Sequence, residues 1–299
     1  MRRRAALAKR RRILRAMACL ALLAAVVLLG CFAYSKIQEK REIQKQDDLR
    51  DLFEGASDQA FALPLMASAR AEEQPDAVDR AISDRFAELY GINPEIIGWL
   101  EAGEDISTPI VYRDNEYYLD HDFYGDESVS GTVFADVRNA AWETDRYLVF
   151  YGHNMKNGTM FGTLDEYQEL DHLLDNTCVD FYGVYDNQVT QFVPFAVVDA
   201  SMDKEEDAYL NLRRFSLFQV DESTGELVQQ PEGEMNVQMF IDDLLERSMY
   251  EIPGLDVTAE DRILALVTCS YKLPNARITV FCRELREGET HEQMEALIR

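Results

Sequence analysis

Cysteine is scarce in this sequence, with five residues among 299. Cys19 and Cys31 lie in an apolar N-terminal stretch, which leaves Cys178, Cys269 and Cys282 for the rest of the chain. Three cysteines cannot all pair with one another, so at least one stays a free thiol unless it pairs between chains. The count therefore excludes the dense disulfide framework of a small secreted scaffold.

Basic residues are also few beyond the first 16 positions. The chain has 30 lysines and arginines against 55 aspartates and glutamates, a net charge of −25 at pH 7, and eight of the cations precede residue 17. A body this acidic repels phosphate groups, which argues against nucleic acid as a partner. The sequence contains neither an internal repeat nor a metal-ligand spacing, and we predict no metal and no cofactor.

One long uncharged stretch covers residues 17–34. As a helix, its eighteen residues rise about 1.5 Å each and span roughly 27 Å, close to the ~30 Å core of a bilayer. The basic residues 1–16 favour a cytoplasmic N-terminus. The sequence thus predicts a single-pass transmembrane anchor, with the remainder outside the cell membrane. Two alternatives stay open: cleavage as a signal peptide, and lipidation of Cys31 in a run similar to a lipobox.

The rest of the chain divides into a polar segment and a folded domain. Residues 35–75 are rich in charged residues and then in alanine, which is typical of a stalk or linker. We assign residues 76–299 to one domain. It opens with a predicted amphipathic helix over residues 76–90, whose apolar side chains recur at helical spacing: Val78, Ile82, Phe86 and Leu89.

After Pro94, short β-branched and aromatic stretches alternate with Gly, Asn and Asp. This pattern predicts a mainly β fold, a barrel or a sandwich. Helical patterns interrupt it at residues 161–174 and 237–250, and residues 221–236 indicate a polar hairpin or loop. Stretches of this kind include IIGWL, PIVYR, GTVFAD, RYLVFYGH, VDFYGVY, VTQFVPFAVVDA, ILALVTCSY and ARITVFCREL.

Three residues at the ends of these strands could carry chemistry. Cys269 ends ILALVTC, and a thiolate is a strong nucleophile when a base or cation activates it. His153 ends RYLVFYGH and enters a polar turn, where an imidazole is free to act as acid or base. Arg277 opens the last strand and could stabilise an oxyanion. Taken singly, each is better explained as a structural residue, and Cys178 and Cys282 are typical of ordinary strand positions.

The motifs around these three residues resemble those of class B sortases. VTCSY followed by an arginine that opens a strand is similar to the Thr-Cys signature of sortases. YGHNMKNGTMFGTL is similar to the class B histidine segment, where Asn and Met follow the histidine. NPEIIGWL, PIVY and DNEYYL resemble the start of the class B catalytic domain. The motifs occur in the family's order and cover the chain from about residue 93 to residue 285.

The resemblance implies a closed eight-stranded sortase-type β-barrel with added helices, preceded by the transmembrane helix. It also implies that Cys269, His153 and Arg277 form the catalytic triad. Five further positions are expected to bind substrate: Asn115 and Leu119 in DNEYYL, Asn154 after the histidine, and Thr268 and Ser270 beside the nucleophile. Two features depart from the family: Ser270 stands where many relatives have an acidic residue, and residues 221–236 form a longer segment than usual.

The function implied is that of a cysteine transpeptidase in a Gram-positive cell membrane. Such an enzyme cleaves the C-terminal sorting signal of an exported protein through a cysteine thioester and transfers the acyl group to a peptidoglycan amine. The expected partners are therefore exported proteins with sorting signals, a peptidoglycan precursor and the membrane. Two alternatives are an envelope cysteine peptidase or amidase that releases its product to water, and a catalytically silent envelope binding protein.

Overall fold

The structure is a computed structural model, and the chain divides into two compact units, Met1–Asp47 and Asp48–Arg299. The first unit consists of most of the long helix α1, Arg2–Gly55, which contains one stretch that is long and apolar enough to cross a membrane. The residues described are 2–56, 81–185, 189–206, 209–212, 218–221, 224, 226–229, 237–252, 254–271 and 275–298.

The described residues of the second unit form ten strands. Their bounds are β1 Ile96–Ala102, β2 Ile106–Val111, β3 Phe134–Ala135, β4 Tyr147–Tyr151, β5 Val179–Gly183, β6 Val189–Ser201, β7 Phe218–Val220, β8 Leu227–Gln229, β9 Ile263–Cys269 and β10 Ala276–Glu284. Eight of them close into a barrel in the order β1-β2-β3-β4-β9-β10-β6-β5. The predicted closed eight-stranded barrel is thus confirmed, and each of the eight β-branched and aromatic stretches named above supplies one barrel strand.

Two of the barrel pairings, β2 with β3 and β4 with β9, are parallel, and the others are antiparallel. Strands β7 and β8 pair separately as an antiparallel hairpin, so the polar segment at residues 221–236 is a hairpin where it is described. In β1, a β-carbon on Gly98 would lie 2.3 Å from the Tyr182 carbonyl oxygen. Only glycine allows β5 to approach β1 this closely.

Where the second unit is described, four short α-helices accompany the barrel: α2 Ala87–Ile92, α3 Leu170–Asp175, α4 Val237–Arg247 and α5 His291–Ile298. Helix α4 falls within the helical pattern predicted at residues 237–250. The pattern at residues 161–174 is instead split into a 3-10 helix, Gly162–Gln168, and α3. The helix predicted at residues 76–90 begins only at a 3-10 turn, Asp84–Phe86, because the Ser83 N–H is bonded to the Val184 carbonyl; residues 76–80 lie outside the described part.

The hydrophobic core has three clusters. One is dominated by alternate strand residues that point into the barrel, such as Leu266 and Val280. A second packs the opposite faces of β6, β9 and β10 against α4 and α5. In the third, Phe53 from the last turns of α1 stacks on Trp99 with ring centroids 4.6 Å apart. These turns, which the sequence assigned to the stalk, therefore pack within the second compact unit, while the proposed division into anchor, stalk and domain stays a prediction.

Candidate active site

A cleft of about 880 Å³ opens where β4 and β9 end and β10 begins. It brings together six of the eight residues predicted for the site, while Asn154 and Ser270 lie outside its lining. The six are Asn115, Leu119, His153, Thr268, Cys269 and Arg277.

The register of three neighbouring strands places the triad candidates on one face. In the parallel pair of β4 and β9, Tyr151 lies beside Val267. Two residues beyond this pair come Cys269, the last residue of β9, and His153, which follows the end of β4, and both line the cleft. In the antiparallel pair of β9 and β10, Arg277 lies directly opposite Cys269. Thiol, imidazole and guanidinium therefore face one cleft, and all three residues are half-buried.

The His153 ring contacts a backbone carbonyl, with 2.6 Å between Nε2 and the oxygen of Leu119. A carbonyl oxygen only accepts hydrogen bonds, so Nε2 carries the hydrogen. In the neutral ring Nδ1 is then the basic nitrogen, and a proton is gained or lost there. Leu119 thus has two parts in the cleft: its carbonyl orients the imidazole, and its side chain, 43% exposed, offers an apolar surface.

Hydrogen bonds join the backbone around His153 to the backbone around Cys269. The Gly152 N–H donates to the Val267 carbonyl at 3.1 Å, and the Thr268 hydroxyl donates to the Gly152 carbonyl at 2.8 Å. A β-carbon on Gly152 would lie 2.8 Å from the Phe161 ring, so this tight junction needs a glycine. Thr268, predicted to bind substrate, lines the cleft but uses its hydroxyl in this junction.

Asn154 and Ser270 are buried, and their side chains bond within the protein. The Asn154 amide donates to the Cys269 carbonyl at 2.8 Å and to Asp165 at 2.6 Å. The Ser270 hydroxyl donates to Asp199 on β6 at 3.0 Å. Asp199 thus brings a carboxylate next to position 270, where the sequence lacks an acidic residue.

One wall of the cleft is organised by Asp136, a fully buried residue that follows β3. Its carboxylate accepts hydrogen bonds from the Tyr151 hydroxyl at 3.0 Å, from Arg138 at 3.1 Å and from Asn115 at 3.3 Å. The side-chain amide oxygen of Asn115, Oδ1, in turn accepts a hydrogen bond from the Val137 N–H at 2.8 Å.

Sequence reasoning named Asn115 in this wall but missed Asp136 and Tyr151, and it missed the other part of the lining altogether. Tyr151 could have been found, since it precedes His153 by two positions on a strand. Asp136 follows the strand GTVFAD directly, which is a weaker signal. The opposite wall comes from the segment after β6, whose composition resembles any polar loop: Met202, Lys204, Tyr209, Leu210, Asn211 and Leu212.

The other two cysteines of the second unit lie away from the cleft. Cys282 is fully buried, and burial raises the pKa of its thiol far above the ordinary value. Burial also raises the pKa of Cys178, which precedes β5. All five cysteines are free thiols. Of those in the second unit, Cys269 is the one that lines the cleft.

The sequence predicts no metal site. Among the described residues, one group could offer three ligand atoms, all within 4.8 Å of one another, from Asp105, Glu166 and His172. Both acids are exposed, and none of the three residues lines the cleft.

No family model matches the sequence. Two curated relatives are both named sortase B. The protein from Listeria monocytogenes is 25% identical over 246 residues, which are 82% of this chain and 87% of the relative. The protein from Staphylococcus aureus is 24% identical over 272 residues, which are 87% of this chain and 93% of the relative.

Solved structures of sortase B share the fold. That of Bacillus anthracis, in complex with AAEK1, superposes with a TM-score of 0.62 at 21% identity and covers 84% of this chain and 99% of its own. That of Clostridium perfringens has a TM-score of 0.53 at 27% identity, with coverages of 67% and 98%. A Staphylococcus aureus sortase B–substrate complex has a TM-score of 0.60 at 21% identity, with coverages of 84% and 100%.

Proposed function

The chain is a relative of the class B sortases in sequence and in fold, and we propose that it is a membrane-anchored cysteine transpeptidase with Cys269 as its nucleophile. The observation that carries this proposal is the convergence of Cys269, His153 and Arg277 on one face of a single cleft. A thiol, a proton-exchanging ring and a cation together can supply the nucleophile, the acid–base group and the oxyanion stabilisation of acyl transfer from an amide.

In the first half of the reaction, the Cys269 thiolate attacks the carbonyl carbon at the cleavage point of a C-terminal sorting signal. The carbonyl oxygen becomes an oxyanion, which Arg277 stabilises. One Arg277 Nη1 hydrogen donates to the Ala276 carbonyl at 3.0 Å, and a guanidinium has five N–H donors, so others remain for the oxyanion. When the C–N bond breaks, protonated His153 gives a proton from Nδ1 to the departing amine, and the acyl group stays on sulfur as a thioester.

In the second half, an amine of a peptidoglycan precursor attacks the thioester carbon. His153, now neutral, accepts the amine proton at Nδ1 as the new C–N bond forms. The C–S bond breaks and returns the thiolate, so the enzyme ends in its starting state. The overall change exchanges one amide for another and requires neither a cofactor nor water.

The location of the substrates supports an anchored enzyme. Residues 17–34 would hold the chain in the cell membrane with the N-terminus in the cytoplasm and the second unit outside. Exported proteins and wall precursors both meet at that surface, and tethering raises the effective concentration of the enzyme there.

The test uses the full-length chain in detergent, mixed with a small panel of sorting-signal peptides and analysed by intact-protein mass spectrometry. We expect an acyl adduct on the wild type and on a Cys178→Ala control, and none on Cys269→Ala. An added amine should remove the adduct and yield the transpeptidation product. Hydrolysis of the acyl adduct to the free acid, despite an excess of amine, would favour a peptidase. Absence of any adduct, with Cys269 also inert to alkylation, would favour a binding protein.

A further inference from the structure

The amide of Asn154 connects three parts of the second unit. Its Nδ2 nitrogen lies 2.8 Å from the Cys269 carbonyl oxygen, at the end of β9. The same nitrogen lies 2.6 Å from Oδ2 of Asp165, in the 3-10 helix Gly162–Gln168. Both partners are acceptors, so the nitrogen must face them, and its two hydrogens are both used. Asn154 is 7% exposed and does not line the cleft, so its amide has no hydrogen left for a substrate.

A second bond ties the same loop to the residues after the nucleophile. The Tyr271 hydroxyl donates to the Asn154 carbonyl at 2.6 Å. Together with the two bonds at Gly152, the contacts at Asn154 fasten the backbone on both sides of His153 to the backbone on both sides of Cys269. The distance between the histidine and cysteine backbones is therefore held by bonds that use neither the imidazole of His153 nor the thiol of Cys269.

The Asp165 carboxylate is held where it can accept the hydrogen bond from the Asn154 side-chain amide. The loop between Asn154 and Asp165 turns back on itself, with a bridge between Asn154 and Met160 and a bond from the Phe161 N–H to the His153 carbonyl. A β-carbon on Gly162 would lie 2.2 Å from the Met155 carbonyl oxygen, so the 3-10 helix starts directly against the loop. The Gln168 amide donates to the Asp165 carbonyl at 3.1 Å and steadies that turn.

We propose that Asn154 and Asp165 form a positioning pair that holds the His153 loop against the Cys269 strand end at the separation needed for proton transfer. This inference rests on the proposed function, and it replaces the expectation that Asn154 binds substrate. A charged acceptor makes the stronger kind of hydrogen bond, so Asp165 fixes the amide plane and thereby the second bond, to the Cys269 carbonyl. Neither residue touches the reacting atoms.

The test compares Asp165→Ala, Asp165→Asn and Asn154→Asp with the wild type, as full-length chains in detergent. Small misplacements of reacting groups cost up to about a hundredfold in rate. We expect Asp165→Ala to lower kcat by about ten- to a hundredfold and to change KM less than about twofold. Asp165→Asn retains an acceptor oxygen and should recover most of kcat. Asn154→Asp replaces the amide donor by a carboxylate that faces two acceptor oxygens. Its kcat should therefore fall further than that of Asp165→Ala.

Asp171→Ala is the matched control, since it removes an exposed aspartate from the adjacent helix α3 and should leave kcat unchanged. If the Asn154 and Asp165 variants raise KM and leave kcat unchanged, the proposal is overturned in favour of substrate binding. An equal decrease of kcat in Asp165→Ala and Asp165→Asn would also overturn the proposal.

A second readout needs no peptide and so separates this inference from the proposed function. Iodoacetamide alkylation of Cys269 is followed against pH by mass-spectrometric mapping, which distinguishes it from the other four cysteines. A changed distance to His153 should displace the pH profile of alkylation in Asp165→Ala but not in Asp171→Ala. If the Asp165→Ala profile coincides with that of the wild type, the pair does not position the two groups, whatever the peptides show.

Discussion

At the scale of the residue, strand alternation separates the side chains that face the cleft from those that hold it together. His153, Cys269 and Arg277 line one cleft. Arg277 is paired with Cys269 across β9 and β10. His153 and Cys269 each come two residues after a member of the pair that joins β4 to β9. Their neighbours Asn154 and Thr268 use their polar groups in bonds within the protein. Under the proposed function, the residues that carry the chemistry would therefore be directly adjacent in sequence to residues that hold the site together.

Arg277 gives a prediction at this scale. Arg277→Ala should lower kcat/KM by about 10²- to 10³-fold, the usual cost of losing one oxyanion donor. Arg277→Lys should recover only part of it, since an ammonium keeps the charge without the planar fork of donors. Steady-state transpeptidation rates measure both variants.

The matched control is Arg146→Ala, because Arg146 is a surface arginine paired with Glu260. Wild-type rates in Arg277→Ala would show that the cation has no part in stabilising the oxyanion.

At the scale of the element, α5 is fastened to the barrel through a buried arginine on β10. Arg283 is completely buried and pairs with Glu289 at 2.7 Å, just before α5 begins. Burial by itself raises the pKa of Glu289. The hydrogen bonds from Arg283 and from the Arg286 N–H outweigh burial, so the pKa lies below its ordinary 4.5. The ionised carboxylate is therefore the form that stabilises the folded unit.

Glu289→Ala should reduce the free energy of unfolding at pH 7 by about 3–5 kcal/mol, because it leaves the buried Arg283 cation without its carboxylate counter-charge. The pKa of Glu289 is depressed on folding, so its contribution is full above the unfolded value and is lost as pH falls through the folded one. The gap between wild type and variant should accordingly narrow below about pH 4.5.

Denaturant titration measures this gap through tryptophan fluorescence, since both tryptophans, Trp99 and Trp142, lie in the second compact unit. Glu292→Ala, which removes an exposed acid from the first turn of α5, is the control. A gap that stays constant between pH 7 and pH 3.5 would contradict the assignment.

At the scale of the whole molecule, charge and hydropathy divide the chain. The net charge of −25 persists although eight cations are gathered in the first 16 residues. The helix that follows is apolar, with a mean hydropathy of 2.1 over its most apolar 18 residues, and none of these residues is buried inside the protein. An unburied apolar helix next to a basic segment is what a membrane anchor requires.

The anchor is tested with native cysteines. In intact cells, a membrane-impermeant maleimide should label Cys269 but neither Cys19 nor Cys31, which the bilayer should shield; both should react after detergent is added. The mass of the extracted chain should equal that of the unprocessed polypeptide. A chain that begins at a lipid-bearing Cys31 would show a lipoprotein instead, and one cleaved after the apolar stretch would show a signal peptide.

The sequence by itself determined the strand-forming stretches, the apolar helix and the motifs around Cys269, His153 and Arg277, because periodicity, composition and short motifs are local properties; the closed eight-stranded barrel was predicted only through the resemblance that these motifs carry. Only the tertiary structure decided that Asn154 bonds to Asp165 and to the Cys269 carbonyl, that Ser270 meets Asp199, and which loop forms the second wall of the cleft. These pairings depend on strand register and on loops that bring distant residues to within 3 Å. No pattern along the chain records such a distance, since it results from the closure of the barrel.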